Sequence, residues 1–265
     1  MKQDFKSLYN PSLREQKEQI ITKDGTKTLY SKEFDECYHS TNDGALNESL
    51  NKHVIPASNL TLHKSSLTIL DICYGLGFNT LTTIYYYQKY YPNIKLHIIS
   101  PELDEGLVKS LKEFEYPKEF EGLKDIIQSV SNNLFYEDSS IRIEVLIGDA
   151  RERVKSIDKE IDIIYQDAFS PKKNPALWTR EWFLDLKSIS SKDLILTTYS
   201  SATPVRLAMY ESGFNIYTPP KADVRSGTIA SLIELDLEPI DMELKKIRNP
   251  NAKALADCDL FDIRS

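Results

Sequence analysis

The sequence predicts an α/β domain built on a doubly wound, mostly parallel sheet, and three observations carry that prediction. From Leu67 onward, short apolar runs alternate with helical stretches. The first run, residues 67–73, ends in a glycine-bearing turn, Tyr74-Gly75-Leu76-Gly77. An acidic residue, Glu102, closes the second. Runs of this kind are buried on both faces, and the helices between them supply the crossovers that a parallel sheet needs. The result is a Rossmann-like α/β sheet, with its ligand site expected at the carboxyl ends of the strands.

Taken in order, Asp24-Gly25 between the apolar segments 19–21 and 28–30 predicts a β-hairpin. A polar loop follows over 39–44 and a helix over 45–54, so residues 1–60 read as an extension packed on or over the main domain. Strands are predicted at 67–73, 95–100, 141–147, 161–166, 194–199, 214–217 and 228–235. Helices are predicted at 77–90, 104–114, 120–132, 151–157, 182–189 and 204–212. Residues 61–240 form the main domain, and 241–265 a polar tail to which the pattern assigns no structure.

Composition narrows the function classes. A chain of 265 residues with 41% hydrophobic and 28% charged residues has an ordinary globular balance, not a disordered one. The net charge of −7 argues against a broad nucleic-acid surface, although Lys172-Lys173, Lys221 with Arg225, and Lys245-Lys246 with Arg248 are local basic patches. Alone, each patch reads as a solvated surface. Three cysteines and four histidines are scattered without paired spacing, so neither a disulfide framework nor a metal site is predicted. Residues 1–10 lack the apolar core of a signal peptide, and no apolar run reaches membrane-spanning length. The expectation is a cytoplasmic protein with no membrane or metal partner.

Four strand ends carry candidate chemistry. At the first, Asp71 precedes Cys73-Tyr74-Gly75-Leu76-Gly77-Phe78-Asn79, where Gly75 and Gly77 let the backbone turn and approach a ligand. A lone G-x-G is a weak signal, and Glu102 at the next strand end strengthens it, since a carboxylate there accepts hydrogen bonds from ribose hydroxyls. An exposed acid at a helix start is the other reading of Glu102. Position 80 is Thr80, not the third glycine of a pyrophosphate fingerprint. S-adenosylmethionine therefore fits the turn better than a dinucleotide, with Asp71 facing its cationic amino group. At the third end, Gly148-Asp149-Ala150 offers an acceptor to the adenine amine or an N-cap to the next helix, or both. The fourth is Asp167-Ala168-Phe169-Ser170-Pro171-Lys172-Lys173-Asn174-Pro175, a stiff loop that alone reads as surface.

This loop, continued by Leu177-Trp178-Thr179, occurs in order with the glycine turn and with Thr197-Thr198-Tyr199-Ser200-Ser201-Ala202 and Val205-Arg206. Together with Phe34-Asp35-Glu36-Cys37-Tyr38-His39-Ser40 and Gly44-Ala45-Leu46-Asn47-Glu48-Ser49, these segments resemble the methyltransferase domain of MnmC-type tRNA 5-methylaminomethyl-2-thiouridine biosynthesis proteins. The resemblance covers roughly residues 30–235 and departs from the family at Asp71, usually Glu, and Cys73, often Gly. It implies a class I methyltransferase sheet whose last strand is antiparallel. It also implies a stand-alone form, because 265 residues leave no room for the family's flavin-dependent oxidase domain.

What the resemblance implies is methylation, by S-adenosylmethionine, of the 5-aminomethyl group on wobble (2-thio)uridine in the tRNA anticodon. It also implies a functional link to the enzymes that install that aminomethyl group. Cofactor contacts would come from Asp71, Tyr74, Gly75, Gly77, Asn79, Glu102, Asp149, Ala150 and Asp167. Asp167 would position the amine and help take its proton, with Phe169 and Tyr74 shaping a tight slot. Ser170, Lys172, Lys173 and Arg225 are the candidates for substrate contacts. The rival is a spermidine-synthase-like aminopropyltransferase, whose loop usually reads D-S-S-D-P; here Ser170 stands where the second acid belongs. A module that keeps the pocket only for folding is the remaining alternative, and a flat cofactor titration would favour it.

Overall fold

The computed structural model of the chain describes residues 11–264. The absence of a signal-peptide core, read from residues 1–10, lies outside them. Among the described residues no helix is long and apolar enough to cross a membrane.

The N-terminal hairpin pairs β1 (Lys17–Ile21) with β2 (Lys27–Ser31), in register from Lys17↔Ser31 to Ile21↔Lys27. Its connection is wider than the tight turn that Asp24-Gly25 predicts. The Asp24 carboxylate organises it by accepting from Thr26 N (3.0 Å), Thr22 Oγ1 (2.7 Å) and Thr26 Oγ1 (2.6 Å). A short third strand, β3 (Glu36–Cys37), joins β2 and was not predicted, since two residues carry no periodicity.

The helix predicted over 45–54 runs further and changes character. It begins as α1 (Ala45–Glu48), widens into a π-helical turn at Ser49–Val54, and continues as α2 (Ile55–Thr61). Pro56 lacks the N–H that would continue an α pattern, and the widened turn stands just ahead of it.

The main sheet contains β4 (Ser66–Ile72), β5 (Lys95–Glu102), β6 (Phe135–Glu137), β7 (Ile141–Ile147), β8 (Ile161–Gln166), β9 (Ser190–Thr198), β10 (Asn215–Tyr217) and β11 (Thr228–Ser231). Its order is β10-β11-β9-β8-β4-β5-β7-β6. The five central strands run parallel. β11 lies antiparallel to β9, as the family resemblance implies. Both edges, β10 and β6, are antiparallel as well. β6 was not predicted; Leu134 adopts a left-handed φ of 59° that ends the preceding helix and turns the chain back along β7.

Helices α3 (Phe78–Tyr90), α4 (Glu105–Ser110), α5 (Lys124–Asn133), α6 (Ala150–Val154), α7 (Arg180–Ser188) and α8 (Thr203–Glu211) fill the connections. One apolar cluster packs Ile69, Ile98 and Ile163 against Leu81 and Ile84 of α3 and Val130 of α5. The other packs Leu70, Ile72 and Ile164 against Phe183 of α7 and Ala208 of α8. Alternate residues of β4 thus enter opposite cores, as in a strand covered on both faces. Predicted helices 104–114 and 120–132 prove to be part 3-10: Leu111–Glu113 follows α4, and Lys118–Leu123 precedes α5. Residues 241–264 of the tail are ordered. They carry α9 (Met242–Arg248), capped by Asp241, and 3-10 turns at Asp257–Arg264.

Candidate active site at the carboxyl ends of the strands

The topological switch lies at β4, flanked by β5 on one side and β8 on the other. A cavity of about 740 Å³ opens there, over the carboxyl ends of β4, β5, β7 and β8. Tyr74, Gly75, Asn79, Glu102, Asp149, Ala150, Asp167, Phe169 and Arg225 line it. Asp71, Gly77, Ser170, Lys172 and Lys173 do not.

The turn after β4 depends on its glycines. Gly75 and Gly77 have φ of +52° and +73°, where an L side chain is strained. A Cβ at Gly75 would come within 3.1 Å of the Tyr38 ring, and one at Gly77 within 2.9 Å of the Tyr74 ring. Glu102 braces this turn: its Oε2 accepts from Gly75 N and its Oε1 from Asp104 N, both at 2.8 Å. Burial pushes the Glu102 carboxyl up, against the pull of those two N–H groups. The carboxylate keeps acceptor capacity for a ligand hydroxyl. Asp149, one strand over, caps α6 by accepting from Arg151 N at 2.9 Å while lining the cavity. The two roles open from sequence are compatible.

Asp71 requires a correction. Expected to face a cationic amino group, it is fully buried under the glycine turn and accepts from Thr80 Oγ1 (2.8 Å) and Asn79 Nδ2 (3.3 Å). Burial, reinforced by the charge of Asp167, pushes its carboxyl up to about 7. It reaches the cavity only through Asn79, whose Nδ2 also donates to Asp167 Oδ2 at 2.7 Å. Asn79 Oδ1 is buried without a hydrogen-bond partner in a side chain that lines the cavity.

Burial alone would push the Asp167 carboxyl up. The charge of His53, its contact, His39 and the Asn79 amide outweigh burial and hold Asp167 below the ordinary carboxylate value. His53 Nε2 lies 3.5 Å from Asp167 Oδ1, long for a hydrogen bond and chiefly electrostatic.

The loop that follows is fixed by its own backbone and by the N-terminal extension. Asn174 N and Lys173 N donate to Ser170 O at 2.7 and 2.8 Å; Trp178 Nε1 donates to Phe169 O at 2.8 Å. Tyr199 Oη donates to Ala168 O at 3.0 Å. Phe34 stacks on Phe169 at 4.4 Å between centroids, and Tyr38 meets it edge-on at 5.0 Å. Glu36 accepts from Ser170 N at 2.9 Å, and Asp35 pairs with Lys173. Lys172 is exposed, so of the four expected substrate contacts only Arg225 stands on the cavity wall.

Sequence reasoning missed Phe34, Glu36, Tyr38, His39 and His53 as parts of this site. The first four stood inside the segment that carries the resemblance, a usable signal. His53 had none, because the scatter of histidines along the chain hides their convergence on Asp167 in space. Among the described residues no group of three His, Cys, Asp or Glu side chains could hold a metal.

Comparison with known proteins places this geometry. Residues 117–233 match a family of S-adenosyl-L-methionine-dependent methyltransferases. The crystal structure of MnmC2 from Aquifex aeolicus superposes with a TM-score of 0.82 at 31% identity, over 97% of this chain and 84% of that one. The tRNA 5-methylaminomethyl-2-thiouridine biosynthesis bifunctional protein MnmC of Leptospira interrogans is 30% identical over 217 residues, 76% of this chain. An uncharacterised protein of Methanocaldococcus jannaschii is 31% identical over 217 residues, 80% of this chain. This chain spans 58% of the length of the archaeal relative and 33% of the bifunctional one. A spermidine synthase crystallised with a transition-state analogue, at TM-score 0.51 and 15% identity, shares the fold alone.

The cavity suits S-adenosylmethionine. Gly75 makes a cradle that a Cβ would fill, Glu102 and Asp149 offer acceptors at adjacent strand ends, and the orphaned Asn79 oxygen offers another for an N–H donor. With sheet, cavity and relatives in agreement, the chain belongs to the MnmC methyltransferase family and is an S-adenosyl-L-methionine-dependent methyltransferase.

Proposed function

We propose that the protein methylates the 5-aminomethyl group of wobble (2-thio)uridine in tRNA, giving 5-methylaminomethyl. The observation that carries this reading is Asp167: a buried carboxylate, held ionised, on the cavity wall beside Phe169. The bound cofactor supplies an electrophilic methyl group on a sulfonium. An amine attacks only through its neutral form, so the site must take a proton and point the lone pair. Asp167 does both, with Asn79 fixing one carboxylate oxygen. Tyr74 and Phe169 narrow the slot, and positioning of this kind supplies much of the rate in a direct transfer.

Glu102, Asp149 and Ala150, with Gly75, form the cofactor side in this reading, and Gly77 shapes the turn behind them. Arg225 meets a phosphate at the mouth, and Ser170, Lys172 and Lys173 meet the tRNA backbone outside the cavity. The names of the MnmC relatives support a tRNA substrate, and the missing second acid at Ser170 weighs against a polyamine. On this reading residues 61–240 are the catalytic domain, 1–60 a wall over it and 241–265 a brace. The working compartment is the cytoplasm, and enzymes that install the aminomethyl group act before this one.

The test is methyl transfer from labelled S-adenosylmethionine to bulk tRNA lacking wobble methylaminomethyl groups, with putrescine and decarboxylated cofactor in a parallel tube. Label in a methylaminomethyl uridine after digestion is the expected result. Asp167→Asn should lower kcat by about a hundredfold or more while leaving cofactor affinity within about twofold. Label absent from tRNA, or product in the putrescine tube alone, overturns the substrate assignment.

A further inference from the structure

The π turn Ser49–Val54 puts a histidine where nothing in the sequence pattern asks for one. Such turns are rare and cluster at functional sites. His53 is 0% exposed, and its ring lies 5.4 Å from that of Tyr165. Nδ1 sits 2.9 Å from Thr197 Oγ1 on β9. Nε2 has no hydrogen-bond partner and faces Asp167 Oδ1 at 3.5 Å. Asp167 is thus approached from two sides, by Asn79 of α3 on one oxygen and by the π turn on the other.

We propose that His53 is a positioning residue, which holds the Asp167 carboxylate aimed and charged for the incoming amine through this buried imidazole contact. The proposal rests on the amine-methylation reading above. His53 itself does not line the cavity and acts only through Asp167. Thr197 suits the role because its hydroxyl can donate to Nδ1, which leaves the ring N–H on Nε2, toward the carboxylate. An uncompensated carboxylate in a buried site would take up a proton. A protonated Asp167 could not accept the amine's proton.

Other charged or titratable groups face this pair. Asp71 lies below on β4, His39 on the loop after β3, and Tyr199 and Cys73 beyond the carboxylate. Glu48 and Lys52 flank His39, with Lys52 Nζ 2.7 Å from Glu48 Oε1 and 2.7 Å from Asp43 Oδ2. Burial lowers the His39 imidazole, so it contributes less charge than its position allows. His53 is the imidazole in direct contact with Asp167.

His53→Gln keeps a neutral N–H near the position of Nε2, while His53→Asn keeps a polar atom near Thr197 and abandons Asp167. We expect kcat to fall about tenfold in H53Q and further in H53N, with cofactor affinity preserved as the check on folding. The acid limb of kcat/KM against pH should move to higher pH in both, because Asp167 loses the imidazole contact that favours its ionised form. A purely structural role would lower activity evenly across pH, and an unmoved acid limb overturns the proposal. A second measurement needs no turnover: carboxyl NMR of protein labelled at aspartate, with the Asp167 signal identified by its loss in Asp167→Asn. Its titration should move to higher pH in H53Q. If it does not, the proposal fails whatever the substrate. If it does while the wild type leaves tRNA unlabelled, the pairing stands and the amine-methylation reading falls.

Discussion

Asp71 and Asp167 sit at the ends of neighbouring strands and share Asn79, yet their surroundings treat them in opposite ways. Asp71 is closed off from the cavity and its carboxyl is pushed up to about 7 by burial, while Asp167 is held below its ordinary value against burial by the nearby imidazoles and amide. Two carboxyls driven apart in this way assign their own roles: one stores a proton, the other works ionised. A stability signature follows for Asp71. Its folded value lies above its unfolded one, so the stabilisation is complete below pH ~4 and lost as pH rises toward about 7. In cofactor-free protein, the stability from denaturant titrations between about pH 4 and 7 should fall by up to about 1.4 kcal/mol per pH unit from this group. Asp71→Asn should flatten that slope, and a slope unchanged in the variant would assign it to other groups. Sequence showed both acids as site residues but not this division, because it gives a strand end without saying which side chain the turn folds over.

At the scale of elements, the strands and helices that position the site were legible because apolar periodicity and glycine placement are local signals. β3, β6 and the π turn were not. Each is too short for a period, and tertiary pairing or a proline downstream decides it. The glycine turn is the element most exposed to a single change. Gly77 caps α3 in the left-handed region, and an added Cβ would enter the buried Tyr74 ring. Gly77→Ala should cost about 1–2 kcal/mol of stability from backbone strain. Cofactor affinity should fall with it as Tyr74 shifts, whereas calorimetry showing unchanged affinity would separate the turn from binding.

For the whole molecule, the cavity is closed by segments far apart in the chain. The N-terminal sheet reaches it through Phe34 and Glu36, and Lys17 ties that sheet to Asp104 at 2.6 Å. From the other end, buried Arg151 makes a bidentate pair with Asp257 at 2.9 and 2.7 Å, and donates to Ala176 O at 2.8 Å. The tail, unreadable as a polar sequence, is therefore fastened to the loop that carries Asp167; a long-range ion pair leaves no periodic trace. Removing one partner of a buried pair strands the other. Asp257→Ala should lower stability by about 3 kcal/mol and reduce turnover more than cofactor affinity, as followed by thermal denaturation and methyl transfer. The short outer strands of the main sheet have a different consequence. β6 and β10 are three residues each, and the far side of β10 is covered where Ile240 N donates to Ile216 O and Thr218 N to Glu238 O. The native edges thus offer little unpaired backbone for another chain to extend. Aggregation on heating through the main sheet then has to start from opened molecules that bare β4, β8 and β9, and by that route its onset should follow the unfolding rate and shift little as the folded protein is concentrated.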